Sequence, residues 1–276
     1  MTAVVNFSVV SHLHGHRLLE CLHALGSHAL GGGRGLRVWV TLNKPEPELE
    51  RSIRQTQWSF DVRVIKNTNP LGFGANHNQA FAHAQALGQG DWFVVMNPDV
   101  LWPANAQQFW QKLAQDNWLA HVGLVCPQQT TVDGVFQDFA RKLPTPWGLL
   151  GRSVRRLLCL QPSGVAPTVE AADWVNGACM VWRAPVFATL GGFDERYHLY
   201  GEDIDICLRL QLAAYTMATA PVEVVHHAQR QTGRSWQHLA WHVSSLAKLW
   251  ASATFWQYVW SGVRRTQSVA KYNSKL

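Results

Sequence analysis

The stretch NFSVVSHLHGHRLLECLHALGSHALGGGRGLRVWVTL, residues 6–42, decides the fold class. Asn6–Ser11 (NFSVVS) and Arg37–Leu42 (RVWVTL) read as short buried strands, and His16 to about Leu25 between them has helical spacing. Gly31–Gly35 breaks the chain before the second strand, and Pro45 and Pro47 follow it. Strand, helix, strand is the pattern of an α/β fold with a parallel sheet. Val62–Lys66, Trp92–Met96, Val122–Pro127 and Val222–Val225 extend the same pattern along the chain.

Two connections between these elements carry chemistry. Asn67–Phe81 (NTNPLGFGANHNQAF) is a Gly-rich loop running into a helix. Its glycines let the backbone approach a ligand and the helix start offers free N–H groups to phosphate, although an ordinary strand-to-helix turn has the same look. The Gly-Lys-Ser/Thr ending of a Walker loop is missing. Trp92–Met96 ends at Asn97-Pro98-Asp99-Val100, and ligands of open α/β sheets sit beyond the carboxyl ends of strands. Asp99 is therefore placed to hold magnesium or manganese against a diphosphate; the alternative is an Asx turn. His226-His227 close the last strand, where a ring nitrogen is available to the same ion.

The third connection is acidic. In Val175–Leu210 (VNGACMVWRAPVFATLGGFDERYHLYGEDIDICLRL), Glu202, Asp203 and Asp205 open a helix. Acids in a first helical turn answer its unpaired N–H groups, and Asp205 has Arg209 four residues on. Glu202 and Asp203 point about 100° apart, so at least one faces the turn above the helix. A carboxylate held there ionised suits a general base for a hydroxyl.

Charge divides the chain. No Asp or Glu follows Glu223, while Arg230, Arg234, Lys248, Arg264, Arg265, Lys271 and Lys275 give that end +7 and leave −1 for the rest. Five of the 14 tryptophans, at 236, 241, 250, 256 and 260, fall among this basic charge. Trp with Lys and Arg suits a membrane interface, and the helical spacing from Ser235 equally suits packing on the body. Single-stranded nucleic acid is the less fitting partner, because that spacing is helical. Residues 139–169 are also acid-free, with Arg141, Lys142, Arg152, Arg155 and Arg156; they read as a flap or a solvated basic face. With 276 residues and 47% hydrophobic content the chain should be globular. Its five cysteines lack metal-site spacing and are expected as buried thiols in a reducing compartment. Neither a standard signal peptide nor an apolar run long enough to cross a membrane is expected.

The ordered series NPLGFGANHNQAF, MNPDV, WVNGACMVWRAPVFATLGGFDERYHLYGEDIDICLR and VVHH resembles family 2 glycosyltransferases of the GT-A fold, in particular the bacterial rhamnosyltransferase-like group. The resemblance spans roughly residues 4–250. It implies an α/β, Rossmann-like, mostly parallel central sheet flanked by helices over residues 1–235; the tryptophans and basic charge beyond it read as a C-terminal helical segment over 236–276 in contact with a membrane surface. It places Gly72, Phe73, Asn78, Asn97 and Asp99 on the nucleotide-sugar donor, with Asn97-Pro98-Asp99 standing where the family has Asp-x-Asp. It makes Asp203 the general base, assigns Asp99 and His226 (ahead of His227) to a divalent cation, Mg2+ or Mn2+, and puts Asn176, Gly177, Phe193, Asp194, Glu195 and Glu202 on the acceptor side. The implied activity is inverting transfer of a sugar, L-rhamnose from dTDP-L-rhamnose by resemblance, to a glycolipid or polysaccharide acceptor at the inner face of the cytoplasmic membrane. The family's acidic Asp-Asn-x-Ser motif is absent after the second strand, where this chain has Val40-Thr41-Leu42-Asn43-Lys44. A non-catalytic nucleotide-sugar or glycan-binding protein on the same fold is the alternative. A metal-dependent phosphohydrolase fits less well, since Asp99 and His226 lie far apart in sequence with no His-x-Asp pattern between them.

Overall fold

The computed structural model describes residues 4–27, 35–88, 90–114, 120–148, 168–227 and 236–262. The basic helix expected around Arg152, Arg155 and Arg156, and the basic residues beyond position 262, lie outside them. The first expected unit is present: β1 (Val5–Ser11), α1 (His16–Ser27) and β2 (Leu36–Leu42), with the two strands parallel. It continues through α2 (Pro47–Gln55), β3 (Asp61–Lys66), α3 (Phe73–Ala86), β4 (Trp92–Met96), β5 (Val100–Leu101), α4 (Gln107–Ala114) and β6 (Val122–Thr130). After β7 (Ala140–Arg141) and β8 (Trp174–Val175) come β9 (Cys179–Arg183), α5 (Ala184–Thr189), α6 (Glu202–Leu212), β10 (Thr216–His226), α7 (Trp236–Ala251) and α8 (Ala253–Trp260).

Eight strands form one sheet in the order β3-β2-β1-β4-β9-β6-β10-β5. β9 runs antiparallel to both β4 and β6, and β5 antiparallel to β10; the other pairings are parallel. β7 and β8 make a separate two-stranded ladder. Alternation along β4 divides the core between the sheet's faces. Trp92, Val94 and Met96 pack with Leu18 and Leu22 of α1 and Phe109 and Leu113 of α4, while Phe93 and Val95 pack with Ala80 and Phe81 of α3 and Ile204 of α6. Burial on both faces is why these strands read as continuous apolar runs.

The C-terminal helices pack on the body. Leu249, Phe255 and Tyr258 are buried in the core that holds α3 and α6. The Tyr258 hydroxyl lies 2.9 Å from Asp173 Oδ1 and 3.1 Å from Gln211 Oε1, and Trp250 Nε1 donates to Pro144 O at 2.7 Å. Ser252 separates the two helices and caps α8, its Oγ accepting from Phe255 N at 3.2 Å. The packing alternative thus applies to this segment as far as Tyr258.

Candidate active site

The ends of β2 and β3 and the start of α3 are knit together by asparagines. Asn43 Oδ1 accepts from Asn67 Nδ2 at 2.9 Å and from Leu71 N at 2.8 Å, while its Nδ2 donates to Leu71 O at 3.0 Å. Asn67 Nδ2 also donates to Asn76 Oδ1 at 2.7 Å, and Asn76 Nδ2 to Gly72 O at 2.8 Å. The loop is therefore fixed by its own side chains before any ligand arrives. A Cβ on Gly72 would stand 2.6 Å from His198 O, and Phe73 N donates to that same carbonyl at 2.9 Å. The close approach that demands glycine here is to the 196–201 turn of the chain itself. The acid absent at 40–44 has a neighbour in Glu46, which accepts from Ser11 Oγ at 2.5 Å, Leu13 N at 2.9 Å and Gly15 N at 3.0 Å. Its charge is spent on holding the turn after β1.

Asp99 and His226 meet because β5 pairs antiparallel with the end of β10, setting Val100 opposite His226. His227 N donates to Asp99 O at 2.9 Å, and Asn97 N to Ala178 O at 2.9 Å, so the Asn97–Asp99 turn is tied to the sheet on both sides. Asp99 Oδ1 faces His226 Nε2 at 3.6 Å, too far for a hydrogen bond, and this buried oxygen has no hydrogen-bond partner. Gln137 completes the arrangement. Its Oε1 lies 2.9 Å from His226 Nδ1, and its Nε2 donates to His226 O at 2.7 Å. An amide oxygen on Nδ1 requires the N–H there, which leaves the Nε2 lone pair toward Asp99. Burial lowers the His226 pKa, so the ring is neutral. An unpartnered carboxylate oxygen beside a bare imidazole nitrogen fits a magnesium- or manganese-type cation. Among the described residues no group of three or more His, Cys, Asp or Glu side chains stands ready to hold an ion alone. A cation here would complete its shell with water and substrate oxygens, the habit of Mg2+ at phosphate sites.

The acidic pair opens α6. Tyr200 and Gly201 precede it with φ of 70° and 92°, a left-handed step that costs a bulky residue like tyrosine energy. Asp203 is half-buried. Its Oδ1 accepts from Ile204 N at 2.9 Å, and the Gly177 N–H also favours the ionised carboxylate. Burial raises its pKa, against the pull of those N–H groups and the Arg141 charge. A helix start favours the ionised form, yet desolvation proves the larger effect here. Glu202 is 4% exposed, its Oε2 has no partner, and burial followed by the Asp203 charge raises its pKa too. Asp205 bonds Arg209 Nε at 2.7 Å, while Arg209 also donates to Leu190 O and Gly192 O. That is the structural pairing expected from their spacing.

The remaining candidates divide into site lining and scaffolding. Gly177 lies against Phe73, whose ring packs on His77 and Phe193 at centroid distances of 4.5 and 5.8 Å. Asn176 exchanges two hydrogen bonds with Gln129, at 2.8 and 3.1 Å. Asn78 Nδ2 donates to Phe193 O at 2.8 Å and Glu195 Oε1 at 2.9 Å, and its Oδ1 accepts from Phe193 N at 2.9 Å. Asn78 thereby fastens α3 to the turn that carries Asp194 and Glu195. Arg196 neutralises Asp194 through its side chain and holds that carboxyl below its ordinary pKa. Sequence reasoning missed Gln137 and His77. The latter is buried, bonds Ser8 Oγ at 2.7 Å, and is kept neutral by a pKa lowered to about 3.

A family model described as glycosyltransferase like family 2 matches residues 3–244. The chain belongs to glycosyltransferase family 2. It is 30% identical over 212 residues to the N-acetylglucosaminyl-diphospho-decaprenol L-rhamnosyltransferase of Mycobacterium tuberculosis, across 67% of this chain and 65% of that protein. It is 28% identical over 182 residues to rhamnosyltransferase WbbL of Escherichia coli, across 63% and 68% of the two chains. The chain thus spans just under two thirds of the length of the mycobacterial relative. The family 2 chain shares its GT-A fold with the mannosyltransferase PcManGT of Pyrobaculum calidifontis, solved with GDP-Man and Mn2+, at a TM-score of 0.58 and 19% identity over 95% of this chain and 75% of that one. Staphylococcus aureus TarS with UDP-GlcNAc superposes at a TM-score of 0.56 and 12% identity over 95% and 74%.

Proposed function

We propose that this family 2 protein is an inverting glycosyltransferase that moves a sugar from a nucleoside diphosphate donor to a hydroxyl of a lipid-linked or polysaccharide acceptor. The observation that carries the reading is the half-buried Asp203 carboxylate at the head of α6 together with the Asp99–His226 opening at the strand ends, where a buried carboxylate oxygen has no partner. Asp203 accepts the proton of the acceptor hydroxyl as its oxygen bonds to the anomeric carbon. The bond from that carbon to the diphosphate breaks on the opposite side, and the electron pair leaves with the diphosphate. Asp99 and His226 would hold a divalent ion, which supplies charge neutralisation for the departing group. Gln137 keeps His226 in the tautomer that this requires. Gly177 N–H and the Arg141 charge oppose the burial that raises the Asp203 pKa.

The relatives named as rhamnosyltransferases make L-rhamnose the first donor to try, and the mycobacterial name makes a lipid diphosphate-linked sugar the first acceptor. The deciding experiment is a panel of nucleotide sugars incubated with acceptor and Mg2+ or Mn2+. Release of nucleoside diphosphate from one donor, with inversion at the anomeric carbon of the product, is the expected outcome. Donor binding with no release from any member of the panel would make the protein a binding module on this fold.

A further inference from the structure

Helix α7 has two unlike faces. The inner one fastens the turn that leads into Asp203. Ser245 Oγ donates to Leu199 O at 2.9 Å, and Lys248 Nζ to Arg196 O at 2.7 Å. The Tyr200 hydroxyl lies 3.1 Å from His238 Nδ1, and Trp241 packs on His198 with ring centroids 5.0 Å apart. The outer face carries Trp236, Leu239 and Val243, which are 87, 47 and 58% exposed. Their spacing of three and four residues puts them on one stripe, with the exposed Ala240 and Ala247 along it. Nothing in the described chain covers this stripe.

Charge tells what would cover it. No acidic residue occurs in α7 or anywhere after Glu223; of the seven Lys and Arg in that stretch, Lys248 is used on the inner face and the other six flank the helix in sequence, two before it and four after. A stripe of tryptophan and aliphatic residues on an acid-free helix, in a basic stretch of chain, complements an anionic bilayer interface. No described helix is long and apolar enough to cross a membrane, so insertion would be parallel to the surface.

We infer that the Trp236–Leu239–Val243 face of α7 docks the protein flat on an anionic lipid surface, with the Tyr200–Asp203 turn held at that surface by the helix's inner face. The inference rests on the proposed function only in making the acceptor membrane-borne; the docking itself does not depend on catalysis.

The test uses the whole chain and vesicles of phosphatidylcholine with or without phosphatidylglycerol. The protein should sediment with the anionic vesicles, and less so in high salt. Replacing Trp236, Leu239 and Val243 together by Ser should lower partitioning by about tenfold or more, with the thermal melt unchanged. Trp236→Ser alone, at a side chain too exposed to support the fold, should lower it by roughly threefold. Wild-type protein that ignores anionic vesicles overturns the inference, as does a Trp236→Ser or triple variant that binds like wild type. A wild-type dimer that the triple variant turns into a monomer would reassign the face to a second copy of the chain. Diphosphate release with a soluble short-chain acceptor separates the two readings. The triple variant should retain it, and its absence in wild type alongside intact vesicle binding would count against the transferase reading alone.

Discussion

At the Asp99–His226 end of the site a carboxylate oxygen and an imidazole nitrogen face each other across 3.6 Å, with the imidazole braced from behind by Gln137. At the Glu202–Asp203 end two carboxyl groups stand side by side at a helix start, one half-buried and one buried with an oxygen left unpartnered. The first end is arranged to receive positive charge. The second makes negative charge expensive and so readies a carboxylate to take up a proton. Both depart from what a fold built only for stability would choose, since each leaves a buried oxygen without a partner.

The contrast can be broken at its most sensitive point first. Asp203→Asn keeps the shape and the Gly177 contact but removes the proton acceptor; turnover should fall by roughly 10²-fold or more with donor affinity unchanged. Kinetics beside a donor titration would read both, and near-normal turnover would end the assignment. Asp99→Ala should abolish the response of activity to added Mn2+ and its removal by chelators, and Mn2+ binding followed by electron paramagnetic resonance should weaken in parallel. A variant that binds Mn2+ as well as the wild type would show that Asp99 is only a turn residue. Gln137→Leu frees the His226 tautomer without touching the opening, so Mn2+ affinity should drop by about tenfold, the usual effect of losing such a support.

The smallest effect sharpens the acidic end. A carboxyl whose folded pKa is raised contributes its stability below the unfolded pKa and loses it as pH rises through the folded value. Asp203 and Glu202 are both raised. Asp203→Asn or Glu202→Gln should therefore raise the melting temperature at pH 8 by roughly 2–4 °C, and by less at pH 5. The same direction predicts that kcat/KM climbs with pH through a midpoint above the ordinary aspartate range. Equal melting shifts at both pH values would deny that burial controls the pair.

Much of this was readable from local pattern. Continuous apolar runs mark β1, β2 and β4 because both faces of the sheet are covered, and the Asn-Pro-Asp turn directly after WFVVM had to sit at a strand end. Asp205 and Arg209 are one helical turn apart, so their ion pair is a property of the helix. Gln137 gave no such sign. It is an unremarkable polar residue after a turn, and it reaches His226 only because β6 and β10 run side by side. Asn78 likewise finds Phe193 across 115 positions of chain.

The strand and helix order, the strand-end place of Asp99, the acids at the head of α6 and the acid-free basic end follow from local pattern, because periodicity, capping and charge are encoded within a few residues. Folding settled which asparagines are scaffolding, which nitrogen of His226 is bare, and which face of α7 is left uncovered. It also decided that Asp203 is pulled toward its protonated form. Those outcomes depend on neighbours brought in from distant positions, and on how completely they exclude water.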